Sequence, residues 1–299
     1  MLNVIVPRGS TPATSAQPLL IELPIESLGP PRAELWRATS PVERIDRGSI
    51  RAALSPDLLF GTGSVALDGD LPARTFELFG EILELTTETR MSHLVRVWSY
   101  FPGINDIESL ERYRLFCIGR YEAFERAGLQ LTRDLPAGSA VGSRGNDLVV
   151  TFLASRRRPR YIENPRQVSA FRYPSRYGPR SPSFARAAML TDGRSLFVSG
   201  TASIVGHETL HAGNVSEQVE ETLRNLDAVI KESFGHDHSL DSPELDPTLR
   251  VYIRHAADHE LVRNRLETIV PAERISCFHA EICRSDLLVE IEAFVQRPR

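Results

Sequence analysis

Lysine is almost missing from this chain: Lys231 is the single one, and the other 34 of the 35 basic residues are arginine. Schiff-base catalysis through lysine is therefore not expected. An arginine-rich set is suited to gripping carboxylates with paired N–H donors, although a GC-rich genome would leave the same bias. Cysteine is also scarce. Cys117, Cys277 and Cys283 are odd in number and lack CxxC spacing, which excludes a disulfide framework and the common redox and zinc motifs, and fits a reducing cytoplasm. No stretch approaches the ~18 apolar residues of a membrane span, and Met1–Leu20 has no basic segment leading into an apolar run. Neither export nor a membrane partner is expected. Nor is there an excess of one charge sign. A net charge of −4 gives no footprint for nucleic acid, which leaves a small molecule as the expected partner. Phosphate-cradling GxxxxGK[ST] and complete GxGxxG motifs are missing as well, so the nucleotide-cofactor classes lose support. The oligomeric state is left open.

What is present is enough apolar sequence, 41% of 299 residues, to fill two cores of ordinary size. Residues 1–45 carry Pro7, Pro12, Pro18, Pro24, Pro30, Pro31 and Pro41 and read as an extended arm. Beyond it the two halves, 46–160 and 161–299, look like faint copies of one another. In the first, a strand at Leu59–Val65 is followed by a helix over Pro72–Leu85 and a strand at His93–Trp98. In the second, a strand at Leu196–Ile204 precedes a helix over 216–233, with Val219, Leu223, Leu226 and Ile230 on one face, and a strand at Leu249–Ile253. Gly61-Thr62-Gly63-Ser64 and Gly200-Thr201-Ala202-Ser203 give the register between halves. The shared order of strand, hairpin, helix, strand and helix predicts two related α+β layers, each a mixed sheet with helices on one face.

A helix near Asp258–Thr268, a strand around Ile275–Ile282 and a last strand at Leu287–Ala293 complete the second half. Period-two geometry places Leu287, Val289, Ile291 and Ala293 on one face of the last strand, and Glu290 and Glu292 together on the other.

Two further constellations carry candidate chemistry. Between Ser155 and Arg186 stand nine arginines opposed by Glu163 alone, interleaved with Tyr161, Tyr173 and Tyr177. Arg156–Arg158 read as a solvated face. Arg180, flanked by Pro179 and Pro182, is a candidate anion ligand. His207-Glu208-Thr209-Leu210-His211 spells HExxH, the zinc-peptidase pattern, which works only if both histidines share a helical face. Gly200, Gly206 and Gly213 punctuate the segment and it directly follows a strand, so a hairpin is predicted and zinc is not.

The second half, from Leu196-Phe197-Val198-Ser199-Gly200 to Leu288-Val289-Glu290-Ile291-Glu292-Ala293, resembles the RidA/YjgF family, a chorismate-mutase-like α+β fold. Ile275 stands where that family has an arginine before Ser276-Cys277, so ordinary imine-deaminase chemistry is not expected. Longer motifs are more specific. Glu163–Pro174, Tyr177–Arg186, Glu111–Arg120 and Ile282-Cys283-Arg284 make roughly residues 35–299 similar to the chorismatase family.

The resemblance implies hydrolytic loss of pyruvate from chorismate in bacterial secondary metabolism, without metal or organic cofactor. The product would be a 3,4-dihydroxycyclohexadiene carboxylate, 3-hydroxybenzoate, or a mixture with 4-hydroxybenzoate. It implies two RidA/YjgF-like units, the second carrying Glu290 as acid/base, with Ala202 and Cys283 beside the substrate setting product choice. Ala202 in place of glycine favours the dihydrodiol. Arg120, Tyr173 and Arg180 are the candidates for gripping the carboxylates and ring hydroxyl, and Glu292 is read as structural. The alternatives are a non-catalytic RidA-like module that binds a small carboxylate, and a zinc peptidase through His207, Glu208 and His211.

Overall fold

The computed structural model describes residues 2–7, 18–30, 32–38 and 40–298. Pro12 and Pro31, two of the prolines on which the arm was read, lie outside them. The first residues form strands β1 (Leu2–Pro7), β2 (Leu19–Glu22), β3 (Glu26–Leu28) and β4 (Ala33–Ala38). Strand β1 pairs with β2 and β4 in a three-stranded sheet of its own.

Two larger sheets follow. The first comprises β5 (Glu43–Arg47), β6 (Ile50–Leu54), β7 (Leu58–Ala66), then helix α1 (Leu71–Glu88), β8 (His93–Phe101), helix α2 (Arg112–Arg126), β9 (Ala137–Gly142) and β10 (Asp147–Ser155). The second comprises β11 (Arg160–Ile162), β12 (Ala187–Met189) and β13 (Ser195–Ala202), then a small hairpin of β14 (Ile204–Val205) and β15 (Glu208–Thr209). It continues with helix α3 (Val215–Phe234), β16 (Asp246–Ile253), helix α4 (His259–Glu267), β17 (Ile275–His279) and β18 (Val289–Gln296).

Strand order is β5-β6-β7-β10-β8-β9 in one sheet and β11-β12-β13-β18-β16-β17 in the other, where β3 of the arm adds a seventh strand beyond β17. Position by position the two orders correspond, and in both the edge pair (β8–β9, β16–β17) is parallel while the rest are antiparallel. The chain is thus α+β, built from two mixed sheets of like topology. One detail corrects the expectation of a hairpin in both halves. Between strand and helix only the second half has one, β14–β15; in the first, Leu67–Asp70 lead straight from β7 into α1.

The helices form for local reasons. Asp70 caps α1 by accepting from the Ala73 N–H, and Asn214 caps α3 by accepting from the Glu217 N–H, each satisfying an otherwise orphaned donor. Val219, Leu223, Leu226 and Ile230 are all buried on α3, each worth roughly 1.5–3 kcal/mol once removed from water. Helices α1 and α2 cover the outer face of the first sheet, α3 and α4 that of the second. Gly119 lets α2 approach α1 closely, since a Cβ there would lie 2.1 Å from the Pro72 carbonyl oxygen.

The inner faces of the sheets meet in a third core of Phe60, Trp98, Tyr100, Phe197, Tyr252 and Phe278. The arm seals one end of it: Leu19 and Ile21 are buried there, and Trp36 stacks on Phe60, Phe197 and Phe294 with centroids 5.1–5.7 Å apart. No helix among the described residues is long and apolar enough to cross a membrane.

Candidate active site

Between the two sheets, where β9 of the first meets β13 and β18 of the second, lies a cavity of about 290 Å³. It is at the small end of the usual range for ligand pockets, ~300–1,000 Å³. Its floor is made by an irregularity in β13. The pairing of β13 with β18 slips between Val198 and Thr201, a bulge that turns Ser199 and Gly200 toward β9. There Ser199 Oγ accepts from the Gly138 N–H at 2.8 Å and donates to the Ala185 carbonyl at 2.5 Å. The Gly200 N–H donates to Ser139 Oγ at 2.9 Å.

Strand β18 alternates as expected. Val289, Ile291, Ala293 and Val295 pack under α3 and α4, and Glu290 and Glu292 face inward between the sheets. Both carboxylates are 4% exposed, yet their surroundings are opposite. Glu292 accepts hydrogen bonds from Trp98 Nε1 (2.9 Å), Ser139 Oγ (2.7 Å) and Tyr252 OH (3.1 Å), and pairs with Arg96 and Arg250. Glu290 has one weak contact, the Cys283 thiol at 4.0 Å. Burial without compensation, reinforced by the charge on Glu292 and opposed by Arg96 and Arg186, pushes the Glu290 carboxyl up to about 8. It therefore keeps its proton at neutral pH. Gly200 makes its placement possible, because a Cβ on that residue would lie 2.1 Å from Glu290 Oε1.

Cations line the opposite walls. Arg120, 3% exposed, projects from α2 over the Phe116 ring, and its Nε has no partner. Arg186, 4% exposed, donates to Tyr173 OH at 2.9 Å and to the Val168 carbonyl, and its Nε is likewise unpaired. Arg284 lies over Tyr177 (4.3 Å) and Tyr173 (5.3 Å) and donates through Nη1 to the His207 carbonyl, with Nη2 unpaired. None of the three is within ion-pairing distance of a carboxylate among the described residues. Buried guanidinium donors without partners are costly and point to an anion as the missing partner.

Of the residues selected from sequence, the structure brings Arg120, Tyr173, Ala202, Cys283 and Glu290 into the cavity lining. Ala202 and Cys283 pack together beside Ile204, Ile282 and Leu287, and burial followed by the nearness of Glu290 pushes the Cys283 thiol well up, so it is neutral. Arg180 does not join them. It is exposed and absent from the cavity lining, with its guanidinium 4.3 Å over the Tyr121 ring of α2 in a cation–π contact. The lining also holds residues that sequence reasoning did not single out for the site, among them Arg186, Arg284, Tyr113, Ser139, Glu111 and Asp286. Arg186 and Arg284 stand inside the quoted motifs, but nothing local separates them from Arg180. Strand β17 also ends earlier than expected, at His279, and β18 starts at Val289, so the Cys283–Arg284 pair rides on a loop.

The HExxH residues lie where the glycines suggested. His207 is in the β14–β15 turn, facing Tyr177 and Arg176, whereas His211 has a left-handed backbone (φ 59°) and pairs with Glu217 at 3.0 Å. With different partners and no helix between them, the two imidazoles do not present the shared face that the zinc motif requires.

A family model described as "Chorismatase FkbO/Hyg5-like, N-terminal" matches residues 34–154. A chorismatase of Streptomyces rapamycinicus is 40% identical over 282 residues, spanning 88% of this chain and 82% of that protein. A 3-hydroxybenzoate synthase of Streptomyces hygroscopicus is 38% identical over 290 residues, spanning 92% and 85%. A crystal structure of a chorismatase superposes with a TM-score of 0.85 at 33% identity, covering 98% of this chain and 92% of that one. With relatives this similar over almost the whole length, the chain belongs to the chorismatase family.

Proposed function

We propose that this protein hydrolyses chorismate, releasing pyruvate together with a 3,4-dihydroxycyclohexa-1,5-diene-1-carboxylate or 3-hydroxybenzoate, with 4-hydroxybenzoate as a further product of the same site. The observation that carries this reading is a buried, neutral carboxyl, Glu290, in a cavity whose other walls hold the unpartnered guanidinium donors of Arg120, Arg186 and Arg284. Relatives at 36–40% identity named chorismatase and 3-hydroxybenzoate synthase support it.

Chorismate is a dianion with an enol ether. Its two carboxylates call for cations, which the arginines supply, and its enol ether calls for an acid strong enough to protonate carbon yet still protonated near neutrality. Glu290 donates its proton to the methylene carbon, and the double-bond pair forms the new C–H bond and leaves an oxocarbenium ion at the ether carbon. Water adds to that carbon, giving up a proton to the Glu290 carboxylate. The hemiketal then collapses to pyruvate and the free ring diol. When the neighbouring ring hydroxyl adds to the cation instead, giving its proton to the Glu290 carboxylate, the intermediate is a cyclic ketal; breaking the ring C–O bond of the former hydroxyl, with loss of the proton from the adjacent ether-bearing ring carbon, leaves the aromatic acid and pyruvate. Ala202 and Cys283, small side chains beside Glu290, bound the space in which these two nucleophiles compete.

The decisive experiment is incubation with chorismate, with pyruvate followed by a coupled dehydrogenase and ring products separated by chromatography. Pyruvate release is expected, with kcat on a plateau at neutral pH and falling as pH rises through about 8, where Glu290 loses its proton. Binding of chorismate without pyruvate release would return the protein to the class of small-carboxylate-binding modules.

The arginines give a second check. Replacing Arg186 or Arg284 with Leu is expected to raise KM by about 10- to 100-fold, the worth of one charge-assisted hydrogen bond. Arg180→Ala is expected to leave KM within about two-fold, since that side chain lies outside the cavity. Equal effects at all three positions in steady-state kinetics would contradict this placement of the binding cations.

A further inference from the structure

Glu290 and Glu292 point the same way from β18, two residues or on the order of 7 Å apart along the strand. Glu292 has no freedom to move. Its Oε1 accepts from Trp98 and Tyr252 and lies 3.4 Å from Arg250; its Oε2 accepts from Ser139 and pairs with Arg96. These donors come from β8, β9 and β16, so three strands of two sheets converge on one carboxylate.

The same network reaches Glu290 by a second route. Ser139 Oγ, which donates to Glu292, also accepts the Gly200 N–H, and Gly200 is the residue against which Glu290 rests. The charged and titratable groups facing Glu290 are Glu292 on its own strand, Arg96 on β8, Arg186 ahead of β12, Cys283 in the loop before β18 and Tyr113 on α2. Arg96 is already paired to Glu292, and the buried thiol and phenol are neutral. At the far end of the network Glu34, from β4 of the arm, accepts from Arg250 Nε at 3.0 Å, so that Arg250 is shared between two carboxylates.

We propose that Glu292 is a positioning residue for the reaction: an anion pinned beside Glu290, it holds the neighbouring carboxyl in its protonated, proton-donating form, and through Ser139 it fixes the bulge on which that carboxyl rests. The proposal rests on the reading of Glu290 as the proton donor. Glu34 belongs to the same device. By sharing Arg250 it prevents that guanidinium from cancelling the charge of Glu292.

The test is the pH dependence of kcat in Glu292→Gln and Glu34→Gln, beside the carbonyl stretch of the protonated Glu290 carboxyl in infrared difference spectra against Glu290→Gln. Removing the anion leaves Arg96 without its carboxylate and Arg250 paired to Glu34, and both changes favour ionised Glu290. Whatever the height of its plateau, the Glu292→Gln profile is expected to turn down at a lower pH, by on the order of one unit or more, with the infrared band titrating alongside it. Glu34→Gln is expected to shift both in the same direction by less. A folded Glu292→Gln that loses kcat equally at every pH, with its alkaline limb and infrared band unmoved, overturns the proposal, and so does an unmoved Glu34→Gln if Glu292→Gln does not fold. Failure of the underlying reading shows differently, as near-normal turnover in Glu290→Gln.

Discussion

Glu290→Gln is expected to reduce turnover by about 10²–10⁴-fold, the usual contribution of a positioned general acid, while substrate binding largely survives. The amide keeps the size and polarity of the side chain but has no proton to cycle. The same substitution is expected to make the protein more stable at neutral pH. In the unfolded chain the carboxyl ionises near 4.5, whereas in the folded protein it holds its proton up to about 8. Between these values the folded state binds more protons than the unfolded one, so stability falls as pH rises through that window. At pH 7 the penalty is on the order of 3 kcal/mol, and glutamine, which cannot ionise, avoids it. Chemical denaturation at pH 5 and pH 8 should show wild-type stability declining while that of Glu290→Gln stays nearly flat. Near-normal kcat in a folded variant would remove Glu290 from the chemistry, and parallel pH dependences would mean that its proton is not held as described.

Gly200→Ala is the second large expected effect. The added methyl would come 2.1 Å from Glu290 Oε1, 2.6 Å from its Cδ and 3.0 Å from Ser139 Oγ, so the carboxyl must move. Gly200 is not among the glycines with a left-handed backbone, hence the cost arises from contact and not from conformation. Displacing a proton donor by about 1 Å costs on the order of 10²-fold in rate, and the crowding costs about 1–3 kcal/mol in stability. Steady-state kinetics should show kcat falling far more than KM rises, because the arginines proposed to hold the substrate sit on the other walls. Unchanged kcat in Gly200→Ala would mean that Glu290 has room to act from a different position.

Much of the scaffold is legible in the residues because its causes are local. The stripe Val219, Leu223, Leu226 and Ile230 forms a helix with one buried face whatever lies beneath it, and the alternation in Val289–Ala293 puts Glu290 and Glu292 on one side of a strand. The glycines around His207 and His211 likewise exclude the helix that a zinc site needs. The two-half arrangement is readable too, apart from the first-half hairpin, since turn and strand signals recur in the same order. The arm was harder. Nothing in Glu26–Leu28 announces that it pairs with β17, because an edge strand is completed by a partner some 250 residues away in the chain.

Two carboxylates on one strand face, arginine as the only plentiful cation and long motifs like those of the chorismatase family are all readable in the residues. Which of the two is left almost without donors follows from long-range packing. Arg96, Trp98 and Ser139 lie 153–196 residues before Glu292 in the chain, and their convergence on it, leaving Glu290 with a thiol at 4.0 Å, is a property of two sheets packed face to face. Long-range packing likewise separates Arg186 and Arg284, which line the cavity, from Arg180, which lies over the Tyr121 ring outside that lining. Periodicity is set by neighbours along the chain, whereas the protonation of a buried acid and the direction of a long side chain are set by whatever the fold brings against them.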